Sequence, residues 1–204
     1  MKTLALAAAL SSIAVPALAH HVMGGSTPIS FGEGLLSGVG HPIIGLDHLA
    51  AVVAVGCLAA CQRRGTLLAL GYVVMMVIGA AAHIGEATVA GAEILVAVSV
   101  IALGLVLISA RLLRLDVAVA LFAFAGLLHG YALGESIAGA EAAPVYAYFT
   151  GLALVQSAIA LIALQITRLL AERTTLQPTM VRVLGAGVVG IGLIVLVQQV
   201  VAGA

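Results

Sequence analysis

The sequence predicts an all-α fold: a polytopic membrane helix bundle with six transmembrane helices after a cleavable signal peptide, and with N- and C-termini both extracytoplasmic. Three observations carry this reading. Of 204 residues, 63% are hydrophobic and 8% charged, whereas a soluble domain has roughly a quarter of its residues charged. Six apolar segments, near 41–61, 66–85, 92–110, 115–134, 145–167 and 183–202, each approach the ~20 residues that cross a bilayer. All seven arginines fall in alternate connections: Arg63 and Arg64 in the first, Arg111 and Arg114 in the third, Arg168, Arg173 and Arg182 in the fifth. That bias assigns those connections to the cytoplasmic side and the chain to the bacterial inner (cytoplasmic) membrane, among membrane lipids. Zero net charge and the lack of any nucleic-acid motif exclude nucleic acid as a partner.

The chain opens as a secretory signal at residues 1–19. Lys2 supplies the basic start, residues 4–15 the apolar stretch, and Ala17-Leu18-Ala19 the small-residue cleavage site. Cleavage there leaves His20 and His21 at the mature terminus, where a free α-amine beside an imidazole can chelate a divalent metal. The rival reading is a polar terminus with no task. Residues 20–40 form an extracytoplasmic N-terminal segment rich in Gly, Ser and Pro, with a short amphipathic turn around Phe31, Leu35 and Leu36. The six-helix transmembrane domain occupies 41–204.

Segment one places two histidines and an aspartate in an apolar run, where ionisable groups are costly and mark function by default. Pro42 suits a first helical position, where no amide donor is needed. His41 and His48 are seven residues apart, so one continuous helix puts them nearly on one face, ~10 Å apart along the axis. Gly45 lies between them and leaves room for a ligand or a neighbouring helix, while Asp47 points round towards the next helix. The rival is a helix start with a polar Asp–His contact between helices. Cys57 and Cys61, one turn apart near the cytoplasmic end, could receive a soft ion. Small apolar thiols packed in a helix are the alternative.

In segment two, His83 and Glu86 at i and i+3 share a face, as ligands or as hydration of a helix end. Glu93 begins segment three, where the macrodipole favours an anion whether or not it meets an ion. Segment four carries His129 about a turn and a half inside its end, with Glu135 terminating the helix. Gly126, Gly130 and Gly134 form a four-residue ridge that permits close approach, expected against segment one. Gln156 sits mid-span in segment five. The connection before segment six is the longest, with Pro178 as its breaker.

This topology puts every histidine and six of the eight carboxylates on the extracytoplasmic side. Imidazole nitrogen with carboxylate oxygen suits borderline divalent ions such as Ni(II), Co(II) or Zn(II) and suits alkali ions poorly. His48, His83 and His129, from three different spans, are expected to converge in one pocket facing the periplasm. Because such ligands bind metal deprotonated, uptake should weaken as pH falls through the ordinary imidazole range near ~6.5. A haem carrier could instead use two of these histidines as axial ligands. No His-Glu-x-x-His hydrolase motif is present, and the chain reads as a non-enzyme.

The run His41-Pro42-Ile43-Ile44-Gly45-Leu46-Asp47-His48-Leu49, continuing into Val52-Val53-Ala54-Val55-Gly56, resembles the hallmark of the HupE/UreJ family. Leu128-His129-Gly130-Tyr131-Ala132-Leu133-Gly134-Glu135 resembles that family's His-Gly-x-Ala-His-Gly-x-Glu block, and Glu93 with the run 99–105 resembles its third segment. The resemblance implies six-span nickel or cobalt permeases serving hydrogenase or urease maturation, with His41, Asp47, His48, His129 and Glu135 as metal-site residues. Leu133 replaces a usual histidine and the fifth-segment histidine is missing, while His83 stands where an apolar residue is usual. A shifted ligand set of this kind would extend the substrate to zinc or copper. The alternative within this resemblance is a non-transporting metal- or haem-binding membrane accessory protein for metalloenzyme maturation.

Overall fold

The structure is a computed structural model that describes residues 26–175 and 177–202; the expected signal segment, His20 and His21 lie outside these. Among the described residues there are seven α-helices, one short 3-10 turn and no strand. They are α1 (Phe31–Ile44), α2 (Leu46–Ala60), α3 (Gly65–Ile84), α4 (Ala92–Ser109), α5 (Leu115–Gly134), α6 (Ala142–Arg173) and α7 (Gln177–Ala202), with the 3-10 turn Glu135–Ile137 after α5. The helices α3 to α7 are each long and apolar enough to cross a membrane; α1 and α2 are long and apolar enough only when taken together, and the pair is bent by 78°, a broken span or a re-entrant loop. This is a multi-pass membrane protein. Leu67, Val98, Phe124, Ile162 and Val197 face outward, the inverse of a soluble surface and suited to lipid.

The first span is not the continuous helix expected over 41–61. Helix α1 begins ten residues earlier, at Phe31, where the Ser30 side chain accepts from the Glu33 amide at 3.2 Å and the Glu33 carboxylate accepts from the Ile29 amide at 2.8 Å. These contacts satisfy amides that a helix start leaves orphaned. Pro42 is inside α1 rather than at its first position. It removes one intrahelical bond within a turn of Gly45, whose φ of −72° and ψ of 100° turn the chain into α2.

Two further expectations are corrected. The 126/130/134 glycine ridge packs against α3, not against segment one: a Cβ on Gly130 would strike the Met76 carbonyl, and one on Gly126 the Tyr72 carbonyl. The long final connection does not form, because α6 runs on to Arg173 and α7 starts at Gln177, with Pro178 in its first turn. Proline is well suited there because that turn leaves its amides unused.

The closest helix pairs are α3 with α5, α4 with α7, and α1 with α6, while α2 touches all the other long helices and lies at the centre. Ala51, Val52, Ala54, Val55 and Ala59 of α2 are fully buried. Between helices in lipid, where apolar contact gains little over lipid itself, small residues and close backbone approach supply the packing. One end of the bundle is tied by Arg168, which donates to the Ala60 and Gln62 carbonyls at 3.2 and 3.3 Å, and by Gln62, which donates to the Leu113 carbonyl at 2.9 Å. The opposite end is tied by the Tyr131 hydroxyl, which donates to the Ala87 carbonyl at 2.8 Å, and by Tyr148, which donates to the Leu133 carbonyl at 2.7 Å.

Candidate functional site

The bend at Gly45 assembles the site. It sets His41, in the last turn of α1, beside Asp47 and His48, in the first turn of α2. His41 and Asp47 suit their helix ends, since a C-terminus favours a cation and an N-terminus an anion; His48, at the same N-terminus as Asp47, does not. Because the residues are on two helices, the His41 and His48 ring centroids are 6.2 Å apart, closer than one straight helix would hold them. A Cβ on Gly45 would lie 2.8 Å from His48 Cδ2 and 3.3 Å from Asp47 Oδ1. Space, rather than backbone torsion, restricts this position to glycine.

His129 of α5 completes the centre. It is fully buried, its Nδ1 lies 2.8 Å from His48 Nδ1, and the two rings meet nearly edge to face at 5.0 Å. On its other side, His129 Nε2 is 3.0 Å from the Ser99 hydroxyl of α4, which donates to the Val96 carbonyl at 2.8 Å. Asp47 Oδ1 is 4.0 Å from His48 Nε2. The Asp47 carboxylate is also close enough to act electrostatically on Tyr72, Glu93 and His129. Tyr72 of α3 is fully buried with its ring 6.4 Å from that of His129, and among the described residues its hydroxyl has no hydrogen-bond partner. Five helices, α1 to α5, thus place three imidazoles, a carboxylate, a serine and a phenol in one buried polar nest.

The remaining candidates are elsewhere. His83 makes its ring contact with Tyr131 at 4.6 Å, not with the other histidines. Glu86 does not share its helical face: it lies past the C-cap Gly85 of α3 in the left-handed region, φ 63°, the backbone conformation that commonly ends a helix. Glu135 is exposed at the start of the 3-10 turn. Glu93 is partly buried, within electrostatic reach of Asp47 and Glu135. Cys57 is buried with its sulfur 3.2 Å from the Thr167 hydroxyl, Cys61 is exposed, and both line a cavity of about 190 Å³ at the arginine-rich end.

Among the described residues, no three His, Cys, Asp or Glu side chains are placed to hold a metal ion together. Ser99 and Tyr72 had no role in the sequence reading, although each is a polar side chain in the middle of an apolar span. Gln156 is likewise fully buried, and neither of its amide atoms has a hydrogen-bond partner among the described residues.

The comparisons with known proteins agree with one another. A curated relative, Protein HupE from Rhizobium leguminosarum bv. viciae, is 29% identical over 136 residues, which cover 66% of this chain and 69% of that one. No solved structure matches the chain. The HupE / UreJ protein family model matches residues 8–195, nearly the whole length and all of the helices that build the nest. The chain belongs to the HupE/UreJ family.

Proposed function

We propose that this protein takes up a divalent transition-metal ion across the bacterial inner membrane, with nickel or cobalt as the substrate that the family resemblance favours and zinc or copper as the rivals. The single observation that carries the reading is the buried meeting of His48 and His129, with Asp47 and His41 beside them, inside membrane-crossing helices. Ionisable groups at that depth are expensive and are retained for a task. Imidazole with one carboxylate matches a borderline divalent ion.

In this reading the arginine-rich end is cytoplasmic, and the ion reaches the nest from the periplasm. It exchanges water for His41, Asp47 and His48 at the α1–α2 corner. Admission deeper requires the His48–His129 contact to part, which turns two mutually bonded imidazoles into two ligands. The contact therefore acts as a closed gate whose opening the ion itself rewards. The two rings touch directly and leave no gap for a porphyrin between them, which favours this reading over a bis-histidine haem. The partners it implies are hydrogenase or urease maturation machinery that uses the ion. The test is accumulation of Ni, Co, Zn and Cu in cells expressing wild type, Asp47→Ala or His129→Ala at equal levels. Loss for one ion in both variants supports the assignment; equal accumulation in all three refutes it.

A further inference from the structure

We propose that the groove between α6 and α7 at the arginine-rich end binds an anionic phospholipid, whose acyl chain fills the slot and whose headgroup meets Arg173. The inference is independent of the metal reading and concerns the end of the bundle away from the histidines.

The groove follows from how the helices pair. Helix α6 packs chiefly on α1 and α7 on α4, so the two follow one another in sequence yet touch little, with α2 beneath them. The gap has a volume of about 330 Å³ and opens to the outside of the bundle. Val53 and Cys57 of α2 line its floor, Ile159 to Leu170 of α6 one wall, and Met180 and Leu184 of α7 the other. Among the lining residues only Cys57 and Thr167 are polar, and both are engaged. The Thr167 hydroxyl lies 2.8 Å from the Ala163 carbonyl and 3.2 Å from the Cys57 sulfur. The groove therefore offers a ligand hydrocarbon contact alone. From Ile159 to Leu170 it runs ~16 Å along the helix axis, the direction that lipid chains take. That volume over that length accepts a hydrocarbon chain, whereas a helix is ~10–12 Å across and would need several times the space.

Charge supplies the other half of the site. Ile166, Leu170 and Arg173 stand at i, i+4 and i+7, which is one face of α6. The exposed Arg173, in the last turn, thus continues the wall one turn beyond Leu170. Seven arginines share this end with the carboxylates of Asp116 and Glu172, and Asp116 is paired with Arg114 at 2.9 Å. Each basic residue of such a surplus near the headgroups favours an anionic lipid. Membrane sidedness accounts for the sign of these residues but not for the register of Arg173 with the groove.

The chain contains no tryptophan, so a single introduced one reports on its own surroundings. Ile166→Trp puts the probe at the groove, where the native side chain is 52% exposed; Phe124→Trp puts a control on the outward face of α5, at 55%. Each full-length variant is reconstituted into dioleoyl phosphatidylcholine vesicles with a minor fraction of brominated phosphatidylglycerol or, separately, of brominated phosphatidylcholine. Quenching then reads local lipid occupancy. Phosphatidylglycerol should be enriched at Ile166→Trp about fivefold over phosphatidylcholine, the effect expected of one arginine, and Phe124→Trp should show no preference. Arg173→Gln should abolish the preference at Ile166→Trp. Equal quenching by the two lipids there, a preference that survives Arg173→Gln, or the same preference at Phe124→Trp overturns the proposal. Quenching by neither lipid also overturns it, because a second copy or another part of the chain then covers the groove. Should Ile166→Trp fail to fold, Ile162→Trp, one turn deeper on the same wall, gives the same reading.

Discussion

His48 and His129 are separated by 81 positions in sequence and joined at 2.8 Å through their Nδ1 atoms. Each is polar and almost or wholly without exposure, and each would be costly to bury alone. Removing one ring leaves the other's nitrogen unsatisfied, whereas removing both removes the debt. His129→Ala should lower stability by about 1–3 kcal/mol, and His48→Leu with His129→Leu should recover most of that loss. Thermal unfolding in detergent measures it. Metal accumulation should be lost in single and double variants alike, so that stability and uptake separate.

Gly45→Ala should leave the fold standing and damage the site. The torsions at this position are ordinary for alanine, but the new methyl would sit 2.8 Å from His48 Cδ2. The imidazole must turn away from Asp47 or from His129. Co(II) affinity should fall by about tenfold or more, with an unchanged circular-dichroism spectrum. An unaltered affinity would show that the corner tolerates a side chain and is not shaped around His48.

Gly130→Ala should destabilise the bundle where Gly71→Ala does not. A methyl on Gly130 meets the Met76 backbone of the neighbouring helix, which cannot move without parting α3 from α5. Overpacking of this kind costs about 1–3 kcal/mol. Gly71, on the same helix as Met76, has no described residue within 4 Å of its added methyl, and alanine there should gain up to about 1 kcal/mol of helix propensity. Comparing the two unfolding temperatures checks both.

Hydropathy made the long spans legible because lipid demands unbroken apolar length, and α3, α4 and α5 fall close to where it puts them. The first helix was hidden by composition. Gly34 and Gly38 look like loop residues, yet they are contact points where α1 meets the Pro144 and Tyr148 backbone of α6. The signal that could have found α1 is Ser30 followed by Glu33, a helix-start pair. The glycine ridge of α5 announced a close neighbour but could not name it, since small residues specify distance and not identity. The sidedness of the histidines foretold a polar end to the bundle. It could not foretell that the His83 ring would meet Tyr131 at a tilt, because a few residues of register decide which face a side chain takes. Ser99 was invisible as a partner for a different reason: one serine in an apolar span gives no sign that its hydroxyl meets His129, 30 positions away.

Gln156 should separate stability from function. Its side chain is fully buried in the middle of α6, with both amide atoms unpartnered among the described residues. A buried polar group left without a partner costs about 1–3 kcal/mol, so a bundle selected for stability alone would carry an apolar residue there. Gln156→Leu is close in volume and removes that cost, and the variant should unfold at a higher temperature than wild type. If the amide is retained to meet an ion on its way between the nest and the arginine-rich end, the same variant should accumulate less metal while still binding Co(II) with wild-type affinity. That combination of a tougher protein, an intact first site and slower uptake assigns Gln156 to the path. Unchanged uptake with higher stability would leave the glutamine as an unoptimised core position, and the route from His129 onward would have to be sought along Tyr72.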